Sequence, residues 1–460
     1  MRIPGIVVGI IGFFAVGVLS TGCAPQAVSA EAGGTGAPPE EGTAPAERLA
    51  AVTELRSRGL EERVFSAQSP RETADGSWTV ENLASIGGGL ADAYALRYTA
   101  EEMLFGDATD RPSVVLELVD AAGRAEPISL LVRPGVHDVV VRPEVWGVDA
   151  AQLLLRSEIE GFDFVSITPI PEPTEPFQAI PIEMSELLHY PRDSWRRDDF
   201  ELFSWSLYPE ILWIDSRDYA TQAAMFKRMA FFIEKRGVLG RLLSDEELFG
   251  LHGWNAHNYR GEGLAAFFNA VEREDFPINE LEETVRDIVA DHGIIRRGDG
   301  ESWVAGSGGI LAISQESYPE LRRLLLSHES MHGVFYWEQT FRTAVERYWN
   351  DALSERERAY WRSFFAWMGY SPEDEYLMVN EFQAYLLQQD ESAVRWYFRT
   401  RIADRLRSSV SVGPAIVNAF LTDHPRTFVN AASAMNEALF QAAGMVGGDP
   451  FCLRPIGTEG

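Results

Sequence analysis

The chain has almost no cysteine: Cys23 and Cys452 are the only two in 460 residues. Two cysteines cannot build a disulfide framework, so the fold must rest on hydrophobic burial. A chain of this length with 46% hydrophobic residues can build more than one core. Positive charge is scarce as well. Forty Lys and Arg against 69 Asp and Glu leave a net charge of −29. That balance argues against nucleic acid as a partner and against adhesion to anionic lipid by charge. After Leu19 no stretch is long and apolar enough to span a bilayer. No internal repeat is present, which excludes a repeat architecture. Histidine is rare, with 8 residues, so any cluster of it carries information.

One such cluster is His328-Glu329-Ser330-Met331-His332, which spells H-E-x-x-H. The composition predicts roughly 0.02 accidental matches to that pattern in a chain of this length. On a helix, positions four apart lie one above the other. Two imidazoles can then grip one metal ion, and Glu329 can reach a water beside it. Ser317-Tyr318-Pro319-Glu320 has the form of a capping box, with Pro early in the first turn. Leu321, Leu325, His328 and His332 follow on one face, so the ligand face continues an apolar face. Upstream, Gly309 to Ser314 reads as a short strand leading into the helix. Gly306-Ser307-Gly308-Gly309 has no Lys after it and reads as a turn, not a phosphate loop.

A third protein ligand must come from elsewhere. The metzincin pattern needs Gly at 335 and His at 338, where this chain has Phe335 and Glu338. Asn380-Glu381-Phe382-Gln383-Ala384 offers N-E-x-x-A, 49 positions past His332. It resembles the third-ligand motif of the gluzincin zinc peptidases. Asp351, 19 positions past His332, is the rival carboxylate, at a spacing close to that of aminopeptidase-type gluzincins. The resemblance spans residues 300–390, and the long gap is similar to that of the lethal-factor group. That group has a Tyr seven positions before the Glu, where this chain has Asp374. The resemblance implies a zinc-dependent peptidase with Zn2+ on His328, His332 and Glu381. Glu329 is then the general base, and an extended substrate lies along a sheet edge such as 309–314. The donor that stabilises the oxyanion is to be sought among Tyr376, Tyr385, Tyr370 and His424. A second dense cluster, His252 to Arg260, suggests a cleft wall, with His257 and Asn258 as candidate contacts to a peptide backbone.

Residues 1–23 read as a secretory signal, with Arg2 before an apolar run from Ile3 to Leu19. Leu19-Ser20-Thr21-Gly22-Cys23 resembles the cleavage box of bacterial lipoproteins. The resemblance implies lipidation of Cys23 and a lipid-anchored, exported protein of the cell envelope, at the outer membrane or cell surface. Cys452 then has no disulfide partner.

Residues 24–64 read as a tether rich in Ala, Gly, Pro and Glu followed by a short helix. Residues 65–170 read as an N-terminal all-β sandwich with short strands at regular spacing, resembling jelly-roll, galactose-binding-like modules. Trp78 and Trp146 are candidate sugar platforms there, so a glycan is a candidate partner beside a peptide or protein substrate. Pro171, Pro173 and Pro176 lie in a stiff linker at 171–180. Helical periodicity dominates 181–460, over Thr221–Lys235, Glu280–His292, Pro319–Tyr348 and Ala393–Ser408. The expected fold is multidomain: a β-sandwich followed by a mainly α (α+β) zincin-like domain. Two rival functions fit the same sequence. One is a non-catalytic adhesin or carbohydrate-binding lipoprotein, and the other is a zinc amidase acting on peptidoglycan.

Overall fold

The computed structural model describes residues 70–73, 77–81, 83, 92–101, 111–171 and 173–456. The expected signal segment, Cys23, the tether and the helix at 48–64 lie outside the described residues. A β-rich N-terminal part precedes a largely helical one. Among the described residues no helix is long and apolar enough to cross a membrane.

The N-terminal strands are β1 (Arg71–Glu72), β2 (Trp78–Val80), β3 (Ala93–Ala100), β4 (Ser113–Asp120), β5 (Ala125–Leu131), β6 (Gly135–Val141), β7 (Ala150–Arg156) and β8 (Phe162–Ile170). One antiparallel sheet runs β1-β2-β7-β4-β5 and the other β6-β3-β8. Alternate residues point inward, as a pleated strand requires. Tyr94, Leu96 and Tyr98 share one core with Leu116, Leu118, Leu153 and Leu155. The Asp120-Ala121-Ala122-Gly123 turn forms as its residues suggest. The Asp120 carboxylate accepts N–H bonds from Ala122 and Arg124, each at 2.9 Å, and Gly123 takes φ +83°.

Two features join this part to the rest. After the helical region the chain returns as β16 (Leu453–Pro455), which pairs antiparallel with β5. Residues 65–170 therefore do not make up the sandwich alone. A three-residue strand covers the edge that β5 leaves open. Next to it the buried Cys452 thiol donates to Glu183 at 3.0 Å. The second feature is Glu186, fully buried in the helix Met184–His189. Its carboxylate accepts the Arg142 N–H at 2.7 Å and the Trp146 indole N–H at 2.9 Å. Trp146 is thus a seam residue, and Trp78 lies edge-on to Phe162 at 5.6 Å. Neither is an exposed ring platform.

The remaining strands are β9 (Ile180–Ile182), β10 (Phe200–Trp205), β11 (Tyr208–Ser216), β12 (His257–Arg260), β13 (Ile295–Arg297), β14 (Trp303–Ala305) and β15 (Gly309–Ser314). β13 and β14 form a hairpin, and the others form a mixed sheet in the order β12-β15-β11-β10-β9. Strand 309–314 is therefore not an edge. All six of its residues are buried, and the edge is β12, antiparallel to it. Gly308 leads into it with φ +87° and its Cα against the Glu210 carbonyl, so no Cβ fits there. One sheet face packs Leu212, Ile214, Ile310 and Ala312 against helices Tyr219–Ile233, Gly261–Arg273 and Glu280–Asp291. The other face carries the helix Pro319–Trp337, with Gly333 close to Ile211, Leu311 and Trp205.

Two local expectations fail for identifiable reasons. The capping box at Ser317 does not form: Tyr318 is the N-cap, and the Ser317 hydroxyl instead pairs with the Tyr219 hydroxyl at 2.7 Å. The helix predicted over 319–348 stops at Trp337 and restarts at Gln339. There the Arg342 guanidinium donates to the carbonyls of Phe335 and Tyr336, both at 2.9 Å, and satisfies the exposed helix end. The helix expected over 393–408 forms, with π geometry at Tyr397–Ile402.

The helix Pro319–Trp337 is fixed to the sheet by an ion pair. Arg322 donates to both oxygens of Asp215, at 2.8 and 2.5 Å, with both side chains buried. Removing one partner leaves the other charge buried and unpaired, at a cost of about 3–5 kcal/mol. Asp215→Ala should therefore lower the urea midpoint strongly, whereas Asp215→Ala combined with Arg322→Met should recover most of the loss. Equal midpoints for the single and double variants would show that the lone charge is not the cause.

Candidate metal centre

His328 and His332 lie one turn apart on the helix Pro319–Trp337, and Glu381 comes from the helix Glu375–Leu387. Ala384, fully buried, is small enough to let the two helices approach. The Gln383 side-chain amide then donates across the gap to the Met331 carbonyl at 3.2 Å. The result is a group of three donor atoms within 4.8 Å of one another. The two Nε2 atoms are 3.2 Å apart. Glu381 Oε2 is 3.6 Å from His328 Nε2, and Oε1 is 3.7 Å from His332 Nε2. Asp351, the rival carboxylate, is exposed on the π-turn Tyr348–Ala352 and is not part of the group.

The donor set suits a small cation. Four-coordinate zinc with bonds of about 2.0–2.1 Å places neighbouring ligand atoms about 3.3 Å apart, close to these separations. Both Glu381 oxygens are buried without a hydrogen-bond partner of good geometry. A buried carboxylate with nothing to neutralise it is costly, and a bound cation removes that cost. Burial pushes both imidazoles down to about 4, so each is a neutral ligand at pH 7. Side-chain amides approach both rings, Gln388 at His328 and Asn380 at His332, and pull the other way. Burial pushes Glu381 up to about 7, against the pull of His332 and the Tyr370 hydroxyl.

These directions set the pH dependence of metal binding. Below about pH 7 the free Glu381 carries a proton that a metal must displace. Between about pH 4 and 7 the apparent association constant should rise roughly tenfold per pH unit, and above 7 it should level off. Below about 4 the imidazoles also protonate and the slope steepens. Chelator-competition titrations from pH 5 to 8 measure this slope. A flat response from 5 to 7 would remove Glu381 from the ligand set.

Glu329 faces the same buried space, 3% exposed. Burial pushes its carboxyl well above the usual range, and nearby Glu381 pushes it further. Asn258 on β12 donates to Glu329 Oε2 at 3.0 Å. The Tyr336 hydroxyl, one helical turn past His332, donates in turn to Asn258 Oδ1. Strand alternation sends neighbouring His257 to the opposite face of β12. There His257 is buried, with Nδ1 2.8 Å from the Tyr259 hydroxyl and its ring beside Phe226. His257 is therefore not brought to the triad.

Of the four donor candidates, two stand near the three ligands. Tyr385 sits edge-on to His328, with ring centres 4.8 Å apart. Tyr370 lies close enough to hold the Glu381 carboxyl down. Tyr370 also stacks on Trp254 at 4.7 Å, and the Trp254 indole donates to buried Glu234 at 2.6 Å. Tyr376 packs instead on Phe335 and under the Arg260 guanidinium. His424 lies with Glu357 and Phe420. Sequence reasoning missed Glu234 and Tyr336. Tyr336 had a signal, since it extends the 328–332 face by one more turn, and Glu234 had none.

Set against protein-family models, curated proteins and solved structures, the chain matches none of them.

Proposed function

We propose that this chain is an exported, lipid-anchored zinc peptidase that hydrolyses peptide bonds at the His328–His332–Glu381 centre. The observation that carries this reading is the convergence of two helices on three buried donors, with a carboxylate, Glu329, beside them. The set of two imidazoles and one carboxylate is a common zinc set and leaves room for water and substrate.

When bound, a zinc ion supplies a Lewis acid that polarises a carbonyl and acidifies water in the site. Glu329 takes the proton from the attacking water and delivers it to the leaving nitrogen. Burial raises its carboxyl, which makes the ionised group a stronger proton acceptor. Tyr385 and Tyr370, the two candidate donors beside the ligands, serve the developing oxyanion. An extended peptide pairs with the outer edge of β12, which no other strand among the described residues occupies. That edge replaces 309–314 as the substrate rail.

The N-terminal part supports the reading of a jelly-roll accessory module. Among the described residues, the strand orders β2-β7-β4-β5 and β8-β3-β6 match seven of the eight positions of a jelly roll. Export and anchoring are supported by the apolar run from Ile3 to Leu19 and by the box ending at Cys23.

The test is metal dependence. The full chain in detergent should cleave an unfolded protein such as casein, lose that activity with a chelator, and regain it with stoichiometric zinc. Cleavage that survives complete metal removal would sink the reading.

A further inference from the structure

The Asn258–Tyr336 pair has no part in holding the metal, yet it is built into the same buried space. Asn258 is 8% exposed and comes from the edge strand β12, whereas Glu329 and Tyr336 come from the helix Pro319–Trp337. The chemistry of the partners fixes the amide orientation. The ionised carboxylate that acts as base only accepts, so for it the Asn258 NH2 must face Glu329 Oε2, at 3.0 Å. Its Oδ1 is then left to accept the Tyr336 hydroxyl. The carboxylate thus selects one of the two amide orientations, and the Tyr336 hydroxyl, donating to Oδ1, holds the amide there against one carboxylate oxygen.

We infer that Asn258, anchored by Tyr336, is a positioning residue for Glu329. It pins Oε2 so that Oε1 is presented to the proton of the reacting water. This inference rests on the peptidase reading above. A freely rotating carboxylate would spend much of its time turned from the reacting proton, and a group held in place avoids that loss. The pair also places the residue that holds the base on the strand whose open edge would take the peptide.

The test separates ligands that need Glu329 from those that do not. A small hydroxamate binds a metal and donates its proton to a neighbouring carboxylate, whereas a small thiolate binds the metal alone. Binding of acetohydroxamate and of mercaptoethanol to the zinc-loaded full chain is measured by displacement of a chromophoric chelator. Asn258→Ala should weaken the hydroxamate about tenfold or more, the worth of one charge-assisted hydrogen bond. The thiolate should be unaffected. Tyr336→Phe, which keeps the ring and its packing, should weaken the hydroxamate by a smaller factor in the same direction. With a cleavable peptide, Asn258→Ala should lower kcat more than it changes KM. Two results overturn the inference: hydroxamate affinity unchanged in Asn258→Ala, or hydroxamate and thiolate lost together, as a collapsed site would give. Failure of the wild-type chain to bind either ligand marks failure of the metal reading, and the inference falls with it.

Discussion

Glu329→Gln should abolish hydrolysis while leaving the metal in place. General acid–base groups contribute about 10²–10⁴-fold to rate, and the loss should reach the upper part of that range because Glu329 is assigned both proton transfers. The substitution is nearly isosteric. A Gln side-chain oxygen can still accept from Asn258, now at 3.0 Å from Oε2, so the local packing persists. It also removes a carboxyl that burial makes costly to ionise, so the variant should be at least as stable as wild type. Glu329 is not among the three donors, so zinc per chain should match wild type. Metal analysis and turnover on one preparation check both halves. Full turnover by Glu329→Gln would remove Glu329 from its role, and loss of the metal would make it a structural support of the centre.

How much of this was legible in the sequence depends on how local each feature is. His328, Glu329 and His332 were legible because a four-residue spacing is a property of one helix. Glu381 was legible from its own motif, but its distance from the imidazoles depends on the approach of two helices, which small Ala384 permits. The His252–Arg260 cluster was legible as unusual, but the roles within it were not. Alternation on a strand puts His257 and Asn258 on opposite faces, and which face meets the three donors depends on the sheet order β12-β15-β11. The same non-local dependence misplaced the substrate edge at 309–314. It also hid β16, since three residues at the end of a chain carry no pattern. Ser317 shows the competition directly. Its capping geometry was available, but a tertiary partner, the Tyr219 hydroxyl, took the side chain.

Glu381→Ala should release the metal, and Asp351→Ala should not. Glu381 is fully buried, with an oxygen 3.6 or 3.7 Å from each imidazole nitrogen. Its removal leaves two neutral nitrogens and no negatively charged ligand to offset a dication in a largely buried site. Loss of a residue that merely supports a metal ligand costs about 10–100-fold in affinity. Loss of a charged ligand should therefore exceed about a hundredfold. Asp351 is exposed and apart from the group, so its removal should change affinity by less than twofold and stability by about 0.5 kcal/mol or less. Glu381→Gln sharpens the comparison, because it keeps the side-chain volume and one carbonyl oxygen but removes the charge. If charge neutralisation dominates, Gln should bind metal nearly as poorly as Ala. If an oxygen in the right place is enough, Gln should recover most of the affinity. In the metal-free protein both variants should be more stable than wild type, since each removes a carboxyl with no hydrogen-bond partner of good geometry. Zinc per chain and the denaturant midpoint, each with and without chelator, measure all four chains. A destabilised, metal-free Glu381→Gln would mean that Glu381 holds the two helices together by itself. Its place beside the imidazoles would then be a matter of packing.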